Sequence, residues 1–408
     1  MHVLFLSPDF VLPADRGLRV RALSQLRVIA SMDEVTRITF ASLSDADVPV
    51  DRQRALEAMI PKLRVEEPIV RPPRMRASWR SMVRFLRLRL IHREPYLVAQ
   101  SDSRPMRAVL RRLFARTRFD VVYLGYIGMA AFLSDARARA PGARVVLEEH
   151  NVEWQIFDRL ASTLSSPMSH GVRWEAASLR RFERRLLQEV DSVIAISDAD
   201  ADGLRELSGV DSVVVRPFVQ PGRPRVERTT SPSLGYIGHL GWQPNAQGLD
   251  WFCSKVWPHL RRRVPEVTLT IAGPGLPKRA DGELEVPSPW RQPGVRTVGF
   301  VEDLEDVYDG ALAMVAPVVG GSGVRMKLLE TMSAGMATVT TTDGAAGLGV
   351  TDGGEVLIAD EPERFADSAV RLLSDADLRA RLRAAGLAFL ASRHSERVAV
   401  EAVRRAFA

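Results

Sequence analysis

Short apolar runs rich in β-branched residues alternate with longer stretches of helical periodicity through both halves of this chain. That alternation commits a polypeptide to parallel sheets covered by helices, an α/β architecture. In the first half, strands are expected at Val3–Ser7, Arg37–Ser42, Val121–Leu124, Val145–Leu147, Ser192–Ile196 and Val213–Val215. These are nearly continuous apolar runs, as strands buried on both faces require. The pattern resumes at Leu234–Ile237, Thr268–Ala272, Arg296–Phe300, Met314–Pro317, Ala337–Thr341 and Val356–Ile358.

Between the halves, RPFVQPGRPRVERTTSPS (216–233) is rich in proline, charge and hydroxyl groups and has no apolar periodicity, which is the composition of a linker. A chain of 408 residues exceeds what one core usually supports, so two domains are expected. The boundaries read as an amino-terminal domain over 1–218, a linker over 219–233 and a second domain over 234–391. A helix over 392–408 is expected to pack back on the first domain. Two such doubly wound domains facing across a cleft would border it with the carboxyl ends of both sheets, where these sheets bind ligands.

The net charge is +6, and only four of the 56 basic residues are lysine. Taken alone, this argues weakly for an anionic partner. Arginine concentrates in 71–93 (RPPRMRASWRSMVRFLRLRLIHR), with Trp79, Met82, Val83, Leu86 and Leu90 near helical spacing. The first reading is a core-facing helix with a solvated arginine face. The second is peripheral contact with an anionic membrane surface or a lipid acceptor; nucleic acid is not expected as a partner. No apolar run approaches the roughly 20 residues of a membrane-spanning helix. The amino terminus, MHVLFLSPDF, reads directly as a strand without the leader of a signal peptide. The one cysteine, Cys253, forms no internal disulfide and excludes a multi-cysteine metal site. A cytoplasmic location follows, with the inner membrane face as the place of any peripheral contact.

The most informative segment is PVVGGSGVRMKLLETMSAG (317–335), a glycine-rich turn that follows a strand and runs into a helix. Its backbone, through Gly321, Ser322 and Gly323, can present amides and a helix amino terminus to a phosphate. Arg325 and Lys327 add cations suited to a diphosphate and its leaving-group charge, and Glu330 follows at a spacing that reaches ribose hydroxyls. Without a ligand, the same segment is a tight turn with basic surface residues. Asp198, Asp200 and Asp202 in ISDADADGL resemble a carboxylate metal site but open a helix, where Ser197 or Asp198 caps and the others favour the dipole. No metal is expected, and no cofactor.

The 317–335 segment resembles the donor-binding motif of family 4 glycosyltransferases, retaining enzymes of the GT-B fold with two Rossmann-like domains, and the resemblance extends over most of the chain. It implies that Glu330, in LLETMSAG, binds the donor ribose of a nucleotide sugar. The family usually carries an earlier glutamate in contact with the transferred sugar; here that position is Ser322. GYIGHLGWQPNAQGLDWF (235–252) is similar to the first strand, loop and helix of the family's donor domain, where Gly238 and Gly241 allow close approach to the donor. Many members hold the diphosphate with an Arg and Lys pair in this loop. This chain has His239, Trp242 and Asn245 instead, leaving the task to Arg325 and Lys327.

VRTVGFV (295–301) resembles the strand and turn beside the base, which brings in Phe300 and Val301. SPDFVLPADRG (7–17) matches the family's loop facing donor phosphates and acceptor, with Gly17 surviving from its glycine pair. In LEEHNVE (147–153), His150 follows a buried strand, where a histidine can orient a sugar or handle a proton. The resemblance carries to it a place near the transferred sugar, with Asn151 and Glu153 as weaker candidates. Polysaccharide biosynthesis is one setting that fits; the acceptor itself, whether glycan, lipid-linked glycan or small molecule, is not legible.

Two other readings remain open at this point. A GT-B epimerase or phosphorylase would share the fold, although none of Lys62, Lys255, Lys278 and Lys327 stands in an obvious pyridoxal phosphate setting. A nonenzymatic nucleotide-sugar sensor would explain Ser322 and the thinned glycine loop. A dehydrogenase is disfavoured, since no GxGxxG follows the first strand of either domain.

Overall fold

Fourteen strands appear among the residues described by the computed structural model, which are 1–14, 16–71, 89, 94–219, 222, 225–279, 281–320 and 326–408. They form two sheets in two units, one comprising Met1–Pro217 with Arg397–Ala408 and the other Phe218–Glu396.

The first sheet is built from β1 (His2–Ser7), β2 (Arg37–Ser44), β3 (Leu63–Val65), β4 (Ile69–Val70), β5 (Val121–Leu124), β6 (Arg144–Glu149), β7 (Ser192–Ala195) and β8 (Val213–Val214). Its order is β3-β2-β1-β5-β6-β7-β8, with β4 beside the far end of β2, and every pairing is parallel. The apolar runs behave as expected: every residue of β5, and all but the first of β1 and β6, is buried. Leu4, Leu6, Val122, Leu124 and Leu147 pack on one side against Met106 and Leu110 of the helix Arg104–Arg116 and Leu179 and Leu186 of the helix Met168–Glu189. In the same unit, Phe5 stacks on Tyr123 with ring centres 4.6 Å apart.

In the second unit β9 (Ser233–Ile237), β10 (Thr268–Ala272), β11 (Val295–Gly299), β12 (Ala313–Ala316), β13 (Thr338–Thr340) and β14 (Leu357–Ile358) run in the order β11-β10-β9-β12-β13-β14, again all parallel. Counted within the unit this is 3-2-1-4-5-6, the doubly wound order in which the winding reverses between the first and fourth strands. Trp257, Phe252, Tyr236 and Phe365 fill its core. Cys253 is buried there, with its thiol pushed up to about 12 by burial.

The chain's end differs from expectation in one respect. Ser392 and Arg393 close the preceding helix, Ala376–Arg393, and a new helix runs from Glu396 to Phe407. His394 caps the break; it is buried, and its carbonyl accepts from the Val219 amide at 3.1 Å. The proline-rich stretch between the halves is fastened to the second unit. Arg225 pairs with Asp309 and Glu305 and donates to the Ala334 carbonyl at 3.0 Å, while Glu227 receives Arg379 at 2.7 Å. No described helix is long and apolar enough to cross a membrane. Within the arginine-rich stretch 71–93 only Arg71 and Arg89 are described. Both are engaged: Arg71 with Asp45 at 3.0 Å, and Arg89 with Glu175, the Glu94 carbonyl and the face of Trp174.

Candidate functional site

Where the strand order reverses, the connections leaving the two central strands part and open a crevice at their carboxyl ends. In the second unit these strands are β9 and β12. Past β9 the chain runs through Gly238–Trp242 into the helix Gln243–Trp251; past β12 it runs through Pro317–Gly320 toward the helix Met326–Ser333. Glycines set how closely these pieces meet. A Cβ on Gly248 would lie 2.1 Å from the Pro317 carbonyl oxygen, so only glycine lets that helix rest on the exit of β12. A Cβ on Gly241 would lie 2.6 Å from the Gly275 carbonyl oxygen, and the neighbouring Leu240 amide donates to Pro274 at 2.7 Å. Gly241 therefore serves the packing of one strand-exit loop on the next. Gly273 continues the series, donating to the Gly299 carbonyl at 2.7 Å, which ties in the end of β11 beside Phe300 and Val301. Phe300 is exposed, Val301 half-buried and His239 exposed.

Lys327 sits in the first turn of the helix Met326–Ser333, beside the β9 exit. Its Nζ donates to Tyr236 Oη at 3.1 Å and to Asn245 Oδ1 at 2.5 Å, and lies 4.8 Å from the centre of the Tyr236 ring. Glu330 follows three residues later, a spacing that puts the two side chains on one helix face. Glu330 keeps solvent contact as a residue, while partial enclosure of its carboxyl raises it above the ordinary value against the pull of Lys327. The lead into the turn is pinned from β13: Thr341 Oγ1 donates to the Val318 carbonyl at 2.6 Å, and the Gly320 amide donates to Asp343 at 2.7 Å. Gly320 has a φ of 69°, which favours glycine. Gly321, Ser322, Gly323 and Arg325 lie outside the described residues. At its far end the helix closes through Gly335, whose φ is 68°, with amides of Gly335 and Met336 donating to Met332 and Thr331. This is the two-bond terminus that a left-handed glycine permits.

In the first unit, Gly17 opens the helix Gly17–Ser31 with open space where a Cβ would be. His150 stands just past β6, nine-tenths buried, its ring 5.5 Å from that of Tyr126. Its Nε2 is 3.5 Å from Glu148 Oε2. Glu148, fully buried, accepts at Oε1 from Arg21 at 2.7 Å and from Gln25 at 2.9 Å. Burial works to raise its carboxyl, but Arg21 and His150 overcome this and hold it at about 2. Glu149 points the other way, as the next residue of a strand must, and its carboxyl oxygens have no hydrogen-bond partner. Burial, with Glu183, Glu153, Glu148 and Asp200 nearby, pushes it well up.

Glu183 accepts the Glu153 and Trp154 amides at 2.8 and 3.0 Å, capping the helix Glu153–Thr163 from the side, and burial lifts it to about 8. Asn151 reaches Glu153 at 3.4 Å. Asp198 and Asp200 are occupied locally: Asp198 pairs with Arg216, and the Asp200 amide donates to the capping Ser197 hydroxyl at 3.1 Å. No group of three or more His, Cys, Asp or Glu suited to a metal occurs among the described residues.

Among the residues anticipated from sequence, Gly238, His239, Gly241, Lys327 and Glu330 thus belong to the second unit's strand exits, and Gly17 and His150 to the first unit. Tyr236, Asn245, Gly248, Thr341, Glu148 and Glu183 were not anticipated. A signal existed for Glu148, a carboxylate at the end of an otherwise apolar strand. One existed for Glu183, which falls on the apolar face of its helix, four residues after Leu179 and three before Leu186. Gly248 also stood out, since glycine inside a helix is costly unless something approaches closely.

The comparisons agree across the whole chain. Residues 14–218 match the glycosyl transferase 4-like domain, and residues 231–375 match the glycosyl transferases group 1 family. A protein of Klebsiella pneumoniae, described as an uncharacterized 44.6 kDa protein in the cps region, is 22% identical over 367 residues, 89% of either chain. Among solved structures, Anabaena HepE in complex with UDP and glucose superposes with a TM-score of 0.63 at 16% identity, over 99% of this chain and 98% of that one. Sucrose-phosphate synthase of Thermosynechococcus elongatus gives 0.64 at 12% identity, over 99% and 98%. The shared fold is GT-B, two Rossmann-like units each with a parallel sheet. The chain belongs to the glycosyltransferases with a glycosyl transferase 4-like domain, which spans half of it, and a segment matching glycosyl transferases group 1 follows that domain.

Proposed function

We propose that this glycosyltransferase draws its sugar from a nucleoside diphosphate donor bound at the crevice between β9 and β12, and transfers it with retention of configuration and without a metal ion. The observation that carries the reading is the placement of Lys327. An ammonium held at the switch point, in the first turn of a helix, is where a diphosphate finds both a cation and a helix dipole. Glu330, on the same face, is assigned the ribose hydroxyls. Arg325 and the Gly321–Gly323 amides, with Ser322 between them, complete the phosphate cradle, and His239, Gly238, Gly241, Phe300 and Val301 line the donor. HepE was solved with UDP and with UDP-glucose, which makes uracil the first base to try.

As the bond from the sugar's anomeric carbon to the diphosphate breaks, negative charge grows on the leaving oxygen. Lys327 and Arg325 offset that charge, so the protein's own cations do the work a metal does elsewhere. The acceptor oxygen bonds to the same carbon on the same face and gives its proton to the departing diphosphate. Ser322 supplies no carboxylate for a covalent intermediate, which favours this front-face route. His150 is assigned to orient the sugar, and the Gly17 loop to the acceptor side. The acceptor is a glycan, a lipid-linked glycan or a small molecule, reached in the cytoplasm, with peripheral membrane contact through 71–93.

A metal-free thermal-shift panel of UDP, GDP, ADP and dTDP on wild type and Glu330→Ala tests this. One nucleotide raises the wild-type midpoint, and the variant loses about tenfold in affinity for it, as expected when a hydrogen bond to a charged group is removed. If no nucleotide shifts the wild type, the donor assignment is wrong.

A further inference from the structure

Among the described residues, Lys327 brings an ammonium to this crevice, and it does not come from the loop beside the donor strand; it reaches there from the far side of the switch point. Two buried residues receive it. Tyr236, on β9 and fully buried, offers its hydroxyl at 3.1 Å with its ring 4.8 Å from the ammonium. Asn245, 3% exposed in the first turn of the helix Gln243–Trp251, offers Oδ1 at 2.5 Å. Its other arm, Nδ2, donates at 3.0 Å to the carbonyl of His239, so one carboxamide links the cation to the backbone of the loop after β9. Gly238 makes room for the set: a Cβ there would stand 2.9 Å from Tyr236 Oη and 3.2 Å from Asn245 Nδ2. A buried amide that uses both ends, a buried phenol aimed at the same nitrogen, and a glycine that clears their space form a cradle for one ammonium.

We infer that Asn245 and Tyr236 are positioning residues for the donor diphosphate, fixing the Lys327 ammonium over the crevice so that its charge acts on the phosphate farther from the nucleoside. The inference rests on the donor reading above. It separates phosphate recognition, which depends on this cradle, from nucleoside recognition, which does not. A long flexible lysine gains most from such support, because its ammonium acts as a point charge whose position is otherwise left to four rotatable bonds.

The test is titration calorimetry with the nucleoside diphosphate that stabilises the wild type, its monophosphate and its nucleoside. The proteins are wild type, Asn245→Ala, Tyr236→Phe, Lys327→Ala and the Asn245→Ala/Lys327→Ala pair. Each of the first two variants is expected to weaken the diphosphate by about tenfold while changing the other two ligands by less than about twofold. Asn245→Ala should add nothing once Lys327 is gone. Tyr236→Phe keeps the ring and its volume, so it carries the test even if Asn245→Ala lowers the unfolding midpoint too far for titration. Equal weakening of all three ligands, wild-type affinity for the diphosphate, or a full extra loss in the double variant would overturn the inference. A wild type that binds no nucleoside diphosphate would instead remove the donor reading on which it stands.

Discussion

Adjacent glutamates on β6 show how finely one residue step is resolved in this fold. Glu148 turns toward Arg21 and Gln25 of the helix Gly17–Ser31 and stays ionised; Glu149 turns toward Glu183, Glu153 and Asp200 and takes up a proton. The signs for stability are opposite. Glu148, held at about 2 against an ordinary 4.5, contributes stability that is present above pH 4.5 and is lost as the pH falls toward 2. Glu183, at about 8 against 4.5, and Glu149, raised in the same direction, hold protons in the folded state that the unfolded chain has released. Their contribution to stability therefore declines as the pH rises from about 4.5 to about 8. Glu149→Gln keeps the shape of the protonated acid and abolishes its titration. Urea midpoints for the first unit, measured at intervals across that window, are expected to fall less steeply in the variant. Parallel slopes would mean that the Glu149 proton is not part of the balance.

At the scale of elements, the second unit's crevice depends on how closely the helix Gln243–Trp251 lies against the exit of β12. Gly248→Ala puts a methyl where the Pro317 carbonyl stands. We expect it to cost the second unit about 1–3 kcal/mol, the usual price of overpacking, and to weaken donor binding by displacing the turn that leads to Lys327. Denaturant unfolding and nucleotide titration check the two effects, and unchanged values in both would show that the helix can retreat without consequence. The elements themselves were largely legible in the sequence, because strands buried on both faces write themselves as apolar runs; all twelve expected strands exist. The two that were missed, β3 and β4, lie in PKLRVEEPIVR (61–71), where charged residues and a proline break up the apolar run. The strand β12 and the helix that carries Lys327 and Glu330 could be read for the same local reason. Their partners could not. Tyr236 and Asn245 stand 91 and 82 residues from Lys327, and a side-chain contact made by the reversal of strand order leaves no spacing to count.

For the whole molecule, the chain's return is the decisive feature: after completing the second unit it ends in a helix that finishes the first. Ala399, Ala402, Val403, Ala406 and Phe407 of that helix are buried. The Phe407 ring lies 6.2 Å from Tyr123 of β5, Arg404 pairs with Glu34 at 2.5 Å, and Arg144 at the start of β6 donates to the Ala406 carbonyl at 3.1 Å. The first unit's core therefore depends on residues that follow the whole of the second unit in sequence. Phe407→Ala should cost that unit about 3–5 kcal/mol, as aromatic truncations in packed cores do. Calorimetric scans with and without the stabilising nucleotide assign the transitions, since ligand raises the one belonging to the unit that binds it. The variant is expected to lower the ligand-insensitive transition and to leave the ligand-sensitive one in place. Should both fall together, the two cores unfold as a single cooperative block, and the last helix supports the donor unit as well as its own.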